Sequence, residues 1–284
     1  MSNWAAGWVY GRGLEFELEE RFADVALKLA RLLGASVEPR RGGFLVRVET
    51  FPKAEGPDLS FVRGLFESAG SWGSKTVYVP SPEGFRSSLS ELLAPFGAHY
   101  CAGGFFIRGE GANLFLHSLY DEEPEERSEF FFEKFLKFIA GESWERTFFS
   151  YSLEEGALPP YKKRVSDSGF DLHLIRLVEK RGNLYFFDTG VRVSPPPGYY
   201  FDLVPRSSIF KSGFMLANSV GIIDMTYRGT VKVPLVKVDP EAPEPELPWR
   251  AVQLIPRRFY PLEGRQVATL DPTLRGEGGF GSTG

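Results

Sequence analysis

The sequence predicts two domains, an α+β domain over residues 1–150 and an all-β domain over residues 151–284. Three observations carry this. In the first half a helix-period segment followed by a strand-period segment occurs twice. From about residue 151 short β-rich runs alternate with Pro and Gly turns. The charge balance also changes: residues 1–150 hold 16 Lys and Arg against 22 Asp and Glu, and residues 151–284 hold 17 against 15. A chain of 284 residues has the length for one large or two ordinary domains.

In the first half, residues 21–34 place Phe22, Val25, Ala26, Leu29, Leu32 and Leu33 on one helical face, and Gly34 is a C-terminal stop. Gly43 to Val48 then alternates as a strand. The same order returns. Residues 83–97 put Phe85, Leu89, Leu92 and Leu93 on one face and end at Gly97, and Gly104 to Arg108 is the strand. The acidic run Asp121–Glu126 reads as the start of a helix, where negative charge is favoured. Phe130, Phe131, Phe135, Phe138 and Ile139 then form its apolar face, a packing surface.

Each copy follows a segment with regularly spaced small residues, Ala5 to Gly13 and Val62 to Gly70, which lets two helices pack closely. With the repeat, this pattern resembles the LAGLIDADG homing endonucleases over roughly residues 3–140, best in "FVRGLFESAG". The resemblance implies a pseudo-twofold pair of helices. In that family each helix delivers an acidic residue beside its final glycine to a metal. Here those positions carry Arg12 and Ala69, neither of which binds a divalent cation. Glu67 lies two residues earlier and points elsewhere on the helix. The expectation is a structural domain without nuclease chemistry. DNA binding is disfavoured by the acidic balance, with Arg40, Arg41, Arg47 and Arg108 as the cations a sheet face offers.

Other classes fall away on composition. No run of about 18 apolar residues occurs, and the N-terminus lacks a basic region with an apolar core, which predicts a cytoplasmic protein with no membrane partner. A single cysteine, Cys101, excludes an intrachain disulfide and reads as a buried small hydrophobe. His99, His117 and His173 are scattered and form no metal spacing.

The second half reads as a sandwich or barrel of short strands, at Leu172–Ile175, Asn183–Phe187, Gly198–Leu203 and Thr230–Val236. Within it stand five short segments: Ser168-Gly169-Phe170-Asp171-Leu172; Pro205-Arg206-Ser207-Ser208, preceded by Asp188-Thr189-Gly190-Val191; Asn218 to Gly229; Arg250-Ala251-Val252-Gln253-Leu254; and Arg275 to Gly284. On their own terms they carry usable chemistry. Asp224 stands at a strand end before a turn, where a carboxylate accepts a proton from water or merely caps the turn. Arg206, Ser207 and Ser208 offer a guanidinium and two hydroxyls to phosphate oxygens. Five glycines in the last ten residues leave the tail free to wrap a ligand or to stay a loose end.

In order and spacing the five segments together resemble the trimeric all-β dUTPases (deoxyuridine triphosphate nucleotidohydrolases) over residues 158–284, with Ser168 and Val252 where alanine is usual. The resemblance implies a jelly-roll or barrel fold and a homotrimer with shared active sites. It also implies hydrolysis of dUTP to dUMP and pyrophosphate, with Mg²⁺ held by the phosphates and water rather than by protein ligands. Asp224 then orients the attacking water and the 3′-hydroxyl. Tyr227 packs under the sugar and leaves no room for a 2′-hydroxyl. The stretch Asn218–Gly229 forms a β-hairpin that reads uracil through the Asn218 amide and the backbone of Gly221, Ile222 and Ile223. Arg206, Ser207, Ser208 and Gln253 meet the phosphates, Asp171 supports the triphosphate or its own turn, and Arg250 is structural. The tail becomes a lid: Arg275 meets the terminal phosphate, Phe280 stacks on the base, and Gly281, Ser282 and Thr283 add backbone or hydroxyl contacts. A deaminase of related fold would need a glutamate shortly after the third segment, and Thr230–Asp239 contains none.

Overall fold

A computed structural model describes residues 2–50, 52, 57–73, 75–122, 124–141 and 145–278. The chain divides into two compact units, Met1–Phe148 with Pro159–Leu172, and Phe149–Leu158 with His173–Gly284. No helix among the described residues is long and apolar enough to cross a membrane.

The first unit contains two successive helix-and-sheet groups. The first group runs α1 (Asn3–Arg12), β1 (Glu15–Glu19), a 3-10 turn at Glu20–Phe22, α2 (Ala23–Leu33), β2 (Ser36–Arg40) and β3 (Gly43–Arg47). The second runs α3 (Leu59–Ala69), β4 (Ser71–Trp72), β5 (Thr76–Pro80), α4 (Arg86–Leu93), β6 (His99–Cys101), β7 (Gly104–Arg108) and α5 (Glu110–Tyr120), and α6 (Glu129–Ala140) follows. The sheets are antiparallel, in orders β1-β3-β2 and β4-β5-β7-β6. Gly34 and Gly97 end their helical segments in the left-handed conformation, at φ 67° each, where a Cβ would be strained.

The core of this unit forms where α1 crosses α3. A Cβ on Gly64 would lie 2.0 Å from the Trp4 carbonyl oxygen, and one on Gly7 would lie 2.2 Å from that of Phe61. Only glycine permits so close an approach. Trp4 through Val9 are all buried, so α1 is enclosed on every side and shows no amphipathic stripe. Two sequence expectations fail here. Cys101 is exposed, because it ends an edge strand whose three residues all face solvent. The acidic run after Asp121 does not open a helix. The Asp121 carboxylate instead accepts the N–H and the hydroxyl of Ser166 at 2.9 and 2.7 Å, and α6 starts only at Glu129.

The second unit is all β, and β9 begins within the Pro159–Leu172 stretch that groups with the first unit. Its strands are β8 (Ser150–Leu153), β9 (Phe170–Leu174), β10 (Arg176–Arg181), β11 (Leu184–Asp188), β12 (Val191–Ser194), β13 (Tyr199–Pro205), β14 (Phe214–Leu216), β15 (Gly221–Ile223), β16 (Lys232–Lys237) and β17 (Trp249–Arg258). They form two four-stranded sheets, β10-β11-β16-β14 and β15-β13-β17-β9, and a β8–β12 ribbon. Alternation sets the inward faces: Tyr185 and Phe187 of β11, Phe201 and Leu203 of β13, and Val233 and Leu235 of β16 are buried.

The expected hairpin at Asn218–Gly229 is not one. β14 pairs with β16, whereas β15 pairs with β13 in the other sheet, so the chain changes sheets between them. Ser219 takes φ 62° at that crossing. Strand alternation marks a strand but not its partner, which is why the local pattern misled.

Candidate functional site

β13 is the organising strand. It pairs with β15 on one side and β17 on the other, with Leu203 opposite both Gly221 and Leu254, and Val204 opposite Gln253. Arg206 leaves its end and opens a 3-10 turn at Ser207–Lys211. The Arg206 N–H donates to the Ala251 carbonyl at 2.9 Å, and its guanidinium donates to the Arg250 carbonyl at 3.3 Å. Gln253, half-buried, donates from Nε2 to the Pro205 carbonyl at 3.3 Å. The second and fourth segments therefore meet at one end of β13, with the Ser207 and Ser208 side chains exposed beside them.

The third segment begins near that end and runs away from it. Asn218 is exposed, Gly221 and Ile223 are buried, and Ile222 faces outward opposite Asp202. Asp224 follows Ile223 and is exposed, and its carbonyl accepts the Tyr227 N–H at 3.0 Å. The Tyr227 hydroxyl turns back to donate to the Thr230 carbonyl at 3.0 Å. Its ring closes over Gly229, where a Cβ would lie 2.2 Å from the Tyr227 hydroxyl oxygen.

Asp171 lies in β9, and its backbone exchanges two hydrogen bonds with Tyr161, at 2.7 and 3.0 Å. Arg275 is exposed in a turn and donates from Nε to the Gly278 carbonyl at 2.9 Å. Phe280, Gly281, Ser282 and Thr283 lie outside the described residues.

The bonds of one group, Asp188, were invisible in the sequence. Asp188 is buried and accepts from Arg176 at 2.9 Å, Thr230 Oγ1 at 3.0 Å and the Gly190 N–H at 2.9 Å. Burial raises its carboxyl, but these donors together hold it below the usual carboxylate range. Arg192 bridges Glu154, at 2.7 Å, and the Arg228 carbonyl, at 3.0 Å. The sequence marked Asp188 only as part of the Asp188-Thr189-Gly190-Val191 run before the second segment, and its role stayed hidden because its partner Thr230 lies 42 residues away.

For a metal, the donor set is informative. Among the described residues no three His, Cys, Asp or Glu side chains gather where they could hold an ion together. The groups present offer cations, hydroxyls and amides to an anion. They fit a divalent cation that arrives on a polyphosphate and keeps phosphate and water as ligands.

Fold and site define an all-β domain with exposed cationic and hydroxyl side chains in the turn at the end of β13. Comparison with known proteins makes the class specific. Residues 155–284 match the dUTPase family model. The deoxyuridine 5′-triphosphate nucleotidohydrolase of Escherichia phage T5 is 41% identical over 104 residues, covering 36% of this chain and 70% of that protein. The enzyme of the same name from Finegoldia magna is 36% identical over 131 residues, covering 45% of this chain and 91% of that protein. A solved Staphylococcus bacteriophage 80alpha dUTPase with dUPNHPP matches at 22% identity and a TM-score of 0.40, covering 49% of this chain and 99% of that one. Through its second half the chain belongs to the dUTPase family, and the enzyme class expected from the sequence, a nucleotide hydrolase, is that family's class.

Proposed function

We propose that the second half hydrolyses dUTP to dUMP and pyrophosphate, and that the first half is an accessory, structural domain. The observation that carries the first statement is the similarity to the Finegoldia magna enzyme across 91% of that enzyme's length. All five sequence segments fall within the residues that match the family model.

In this reading the exposed Asp224 carboxylate holds a water and draws off its proton as the water oxygen attacks the α-phosphorus. The bond from the α-phosphorus to its bridging oxygen breaks, and pyrophosphate leaves. Arg206, Ser207, Ser208, Gln253 and Arg275 meet the phosphates and stabilise the charge that develops on them. Mg²⁺, when bound on the phosphates, adds Lewis-acid neutralisation of that charge. Asn218 and the backbone of Gly221, Ile222 and Ile223 match the edge of uracil. Cytosine would leave buried donors and acceptors mispaired. Tyr227 selects deoxyribose by filling the space of a 2′-hydroxyl. Phe280, Gly281, Ser282 and Thr283 complete the site as a lid, and Asp171 supports the triphosphate or its own turn.

A homotrimer is part of the proposal, and strand geometry supports it. Ile223 pairs with Phe201, whereas Arg206 follows Pro205 at the far end of β13. At about 3.3 Å per strand residue, Asp224 and Arg206 of one copy stand roughly 20 Å apart. Both must act on one triphosphate, which is met when neighbouring copies share each site.

For the first half, the close α1–α3 packing through Gly7 and Gly64 accords with the expected pair of packed helices, but the two groups differ in element order, α1-β1-α2-β2-β3 against α3-β4-β5-α4-β6-β7-α5, and no LAGLIDADG-like repeat is shown. Arg12 spends its guanidinium on the Ser68 carbonyl, at 2.6 Å, which accords with a packing role and not a metal-binding one. The decisive test is pyrophosphate release by Asp224→Asn. Near-normal turnover by a folded variant would overturn the assignment.

A further inference from the structure

We propose that Asp188 is a specificity-positioning residue, which sets the Tyr227 ring through Thr230 and thereby tunes rejection of ribonucleotides. The proposal rests on the reading that Tyr227 packs under the sugar. It adds to that reading a buried residue 39 positions earlier in the chain.

The connection is a continuous chain of hydrogen bonds. The Tyr227 hydroxyl donates to the Thr230 carbonyl at 3.0 Å. The Thr230 hydroxyl donates to Asp188 Oδ2 at 3.0 Å. Arg176 donates to the same oxygen at 2.9 Å and also binds Glu154. The other Asp188 oxygen accepts the Gly190 N–H. Next door, the Thr189 hydroxyl donates to the Val231 carbonyl at 2.9 Å, and the Val231 N–H donates to the Val191 carbonyl at 2.8 Å.

A loop that carries a reactive carboxylate and a sugar-contacting ring is thus tied at its far end to a buried, ion-paired carboxylate. Asp188, Thr189 and Thr230 are all buried. Asp224 and Tyr227 are exposed, so their positions are set by the loop's own bonds and by this anchor. A second tie reaches the loop from outside, where Arg192 holds the Arg228 carbonyl while Glu154 holds Arg192. Arg228 in turn donates to the Met225 and Tyr227 carbonyls at 2.6 and 2.7 Å.

The physical consequence is specific. Steric exclusion of one hydroxyl requires the excluding ring to be held within a fraction of an ångström. Removing the Asp188 acceptor leaves Thr230 free to shift and carries the Tyr227 hydroxyl's acceptor with it. The ring then yields to a 2′-hydroxyl. Deoxyribose needs no such yielding, so the deoxy substrate suffers less than the ribo substrate gains.

The test measures kcat/KM for dUTP and for UTP in the full-length protein. Asp188→Asn, whose amide cannot accept from Thr230, Arg176 and the Gly190 N–H together, and Thr230→Val are expected to lower the dUTP-to-UTP ratio about tenfold. Thr230→Ser, which keeps the hydroxyl, is expected to retain it. The double variant should be no worse than either single one, as for two members of one chain of bonds. Equal loss on both substrates in Asp188→Asn and Thr230→Val overturns the proposal and leaves Asp188 a purely structural residue. Tyr227→Ala separates the two readings. If it too leaves the ratio unchanged, the assignment of Tyr227 to the sugar has failed. If it alone collapses the ratio, that assignment stands and the Asp188 anchor has failed. Should Asp188→Asn not fold, the Thr230→Val and Thr230→Ser pair decides.

Discussion

Glu67 of the first unit and Asp224 of the second are both acidic residues close to the end of a secondary-structure element, and their surroundings differ in every respect. Glu67 is 2% exposed and accepts from Trp4 Nε1 at 2.7 Å, Trp8 Nε1 at 3.3 Å, the Tyr120 hydroxyl at 3.0 Å and the Ser128 N–H at 2.9 Å. It joins α1, α3, α5 and the start of α6 by filling its own acceptor sites. Asp224 is exposed, and the polar groups around it on the loop bond to each other. A carboxylate whose partners are all supplied by its own fold has nothing to offer a substrate. One held at the surface by its backbone, with its side chain outward, does. The contrast sets a packing charge beside the carboxylate proposed above to be reactive.

The largest expected effect breaks the reactive side of this contrast. Asp224→Asn is expected to cut turnover by roughly 10²–10⁴-fold, the range for loss of a positioned base. Its thermal transition should be unchanged, since no fold contact of its carboxylate is lost. A large fall in stability, read by circular dichroism, would place Asp224 with Glu67.

Glu67→Ala is the mirror experiment. It leaves two indoles, a phenol and a backbone N–H without their acceptor, and removes the carboxylate that most favours the buried Arg63 charge. Such a loss costs about 3–5 kcal/mol. The expected outcome is an earlier unfolding transition of the first unit, seen in Trp fluorescence. dUTP turnover of the folded fraction should be unaltered. A turnover loss matching that of Asp224→Asn would show that the first half is more than accessory.

A pH series sharpens the same point. Burial pushes the Glu67 carboxyl up from its ordinary 4.5 to about 7, against the donors Trp4, Ser128 and Trp8 and the Arg63 charge, which all favour the carboxylate. The folded state therefore keeps a proton that the unfolded chain releases above 4.5. The stability this confers is full below pH 4.5, falls between 4.5 and 7, and is gone above 7. The span is roughly 3 kcal/mol. Denaturant titrations from pH 5 to 8 should show this decline in the native protein, and Glu67→Gln should flatten it. Gly64→Ala is expected to destabilise by about 1–3 kcal/mol at every pH, because its Cβ would meet the Trp4 carbonyl at 2.0 Å.

These residues also mark how far the sequence could be read. The helices were legible because α2 and α4 each have a buried and a solvent face, and the stops Gly34 and Gly97 are required by their positive φ. The turns that carry Arg206-Ser207-Ser208 and Asp224 were legible because each follows the end of a strand within a few residues. What stayed hidden depended on distant partners. Glu67 reads as an ordinary helix residue until Trp4, 63 positions away, donates to it. Asp188 has no meaning without Thr230. Cys101 looked like a core residue because hydrophobicity does not reveal that its strand lies at a sheet edge. The hairpin failed for the same reason: β14 and β15 are adjacent in the chain and belong to different sheets.

The smallest expected effect concerns DNA. Glu15, Glu17 and Glu19 face outward along β1, and Glu38 does so on β2. Arg41 in the β2–β3 turn makes no ion pair among the described residues, but three of the cations at this sheet are already engaged: Arg47 binds Glu15 and Glu38 at 2.6 Å each, Arg40 binds Glu38 at 2.9 Å, and nearby Arg21 binds Glu19 at 2.8 Å. A duplex would have to displace these carboxylates and then sit against them. The full-length protein is therefore expected to show no retention of a short duplex even at about 50 mM salt, where phosphate contacts are strongest. Glu15→Gln with Glu38→Gln frees Arg47 and Arg40 and is expected to produce weak, salt-sensitive binding. If the native protein instead binds duplex with an affinity that falls steeply with salt, the first half carries a reactive surface of its own, and the contrast between a packing unit and a chemical one no longer holds.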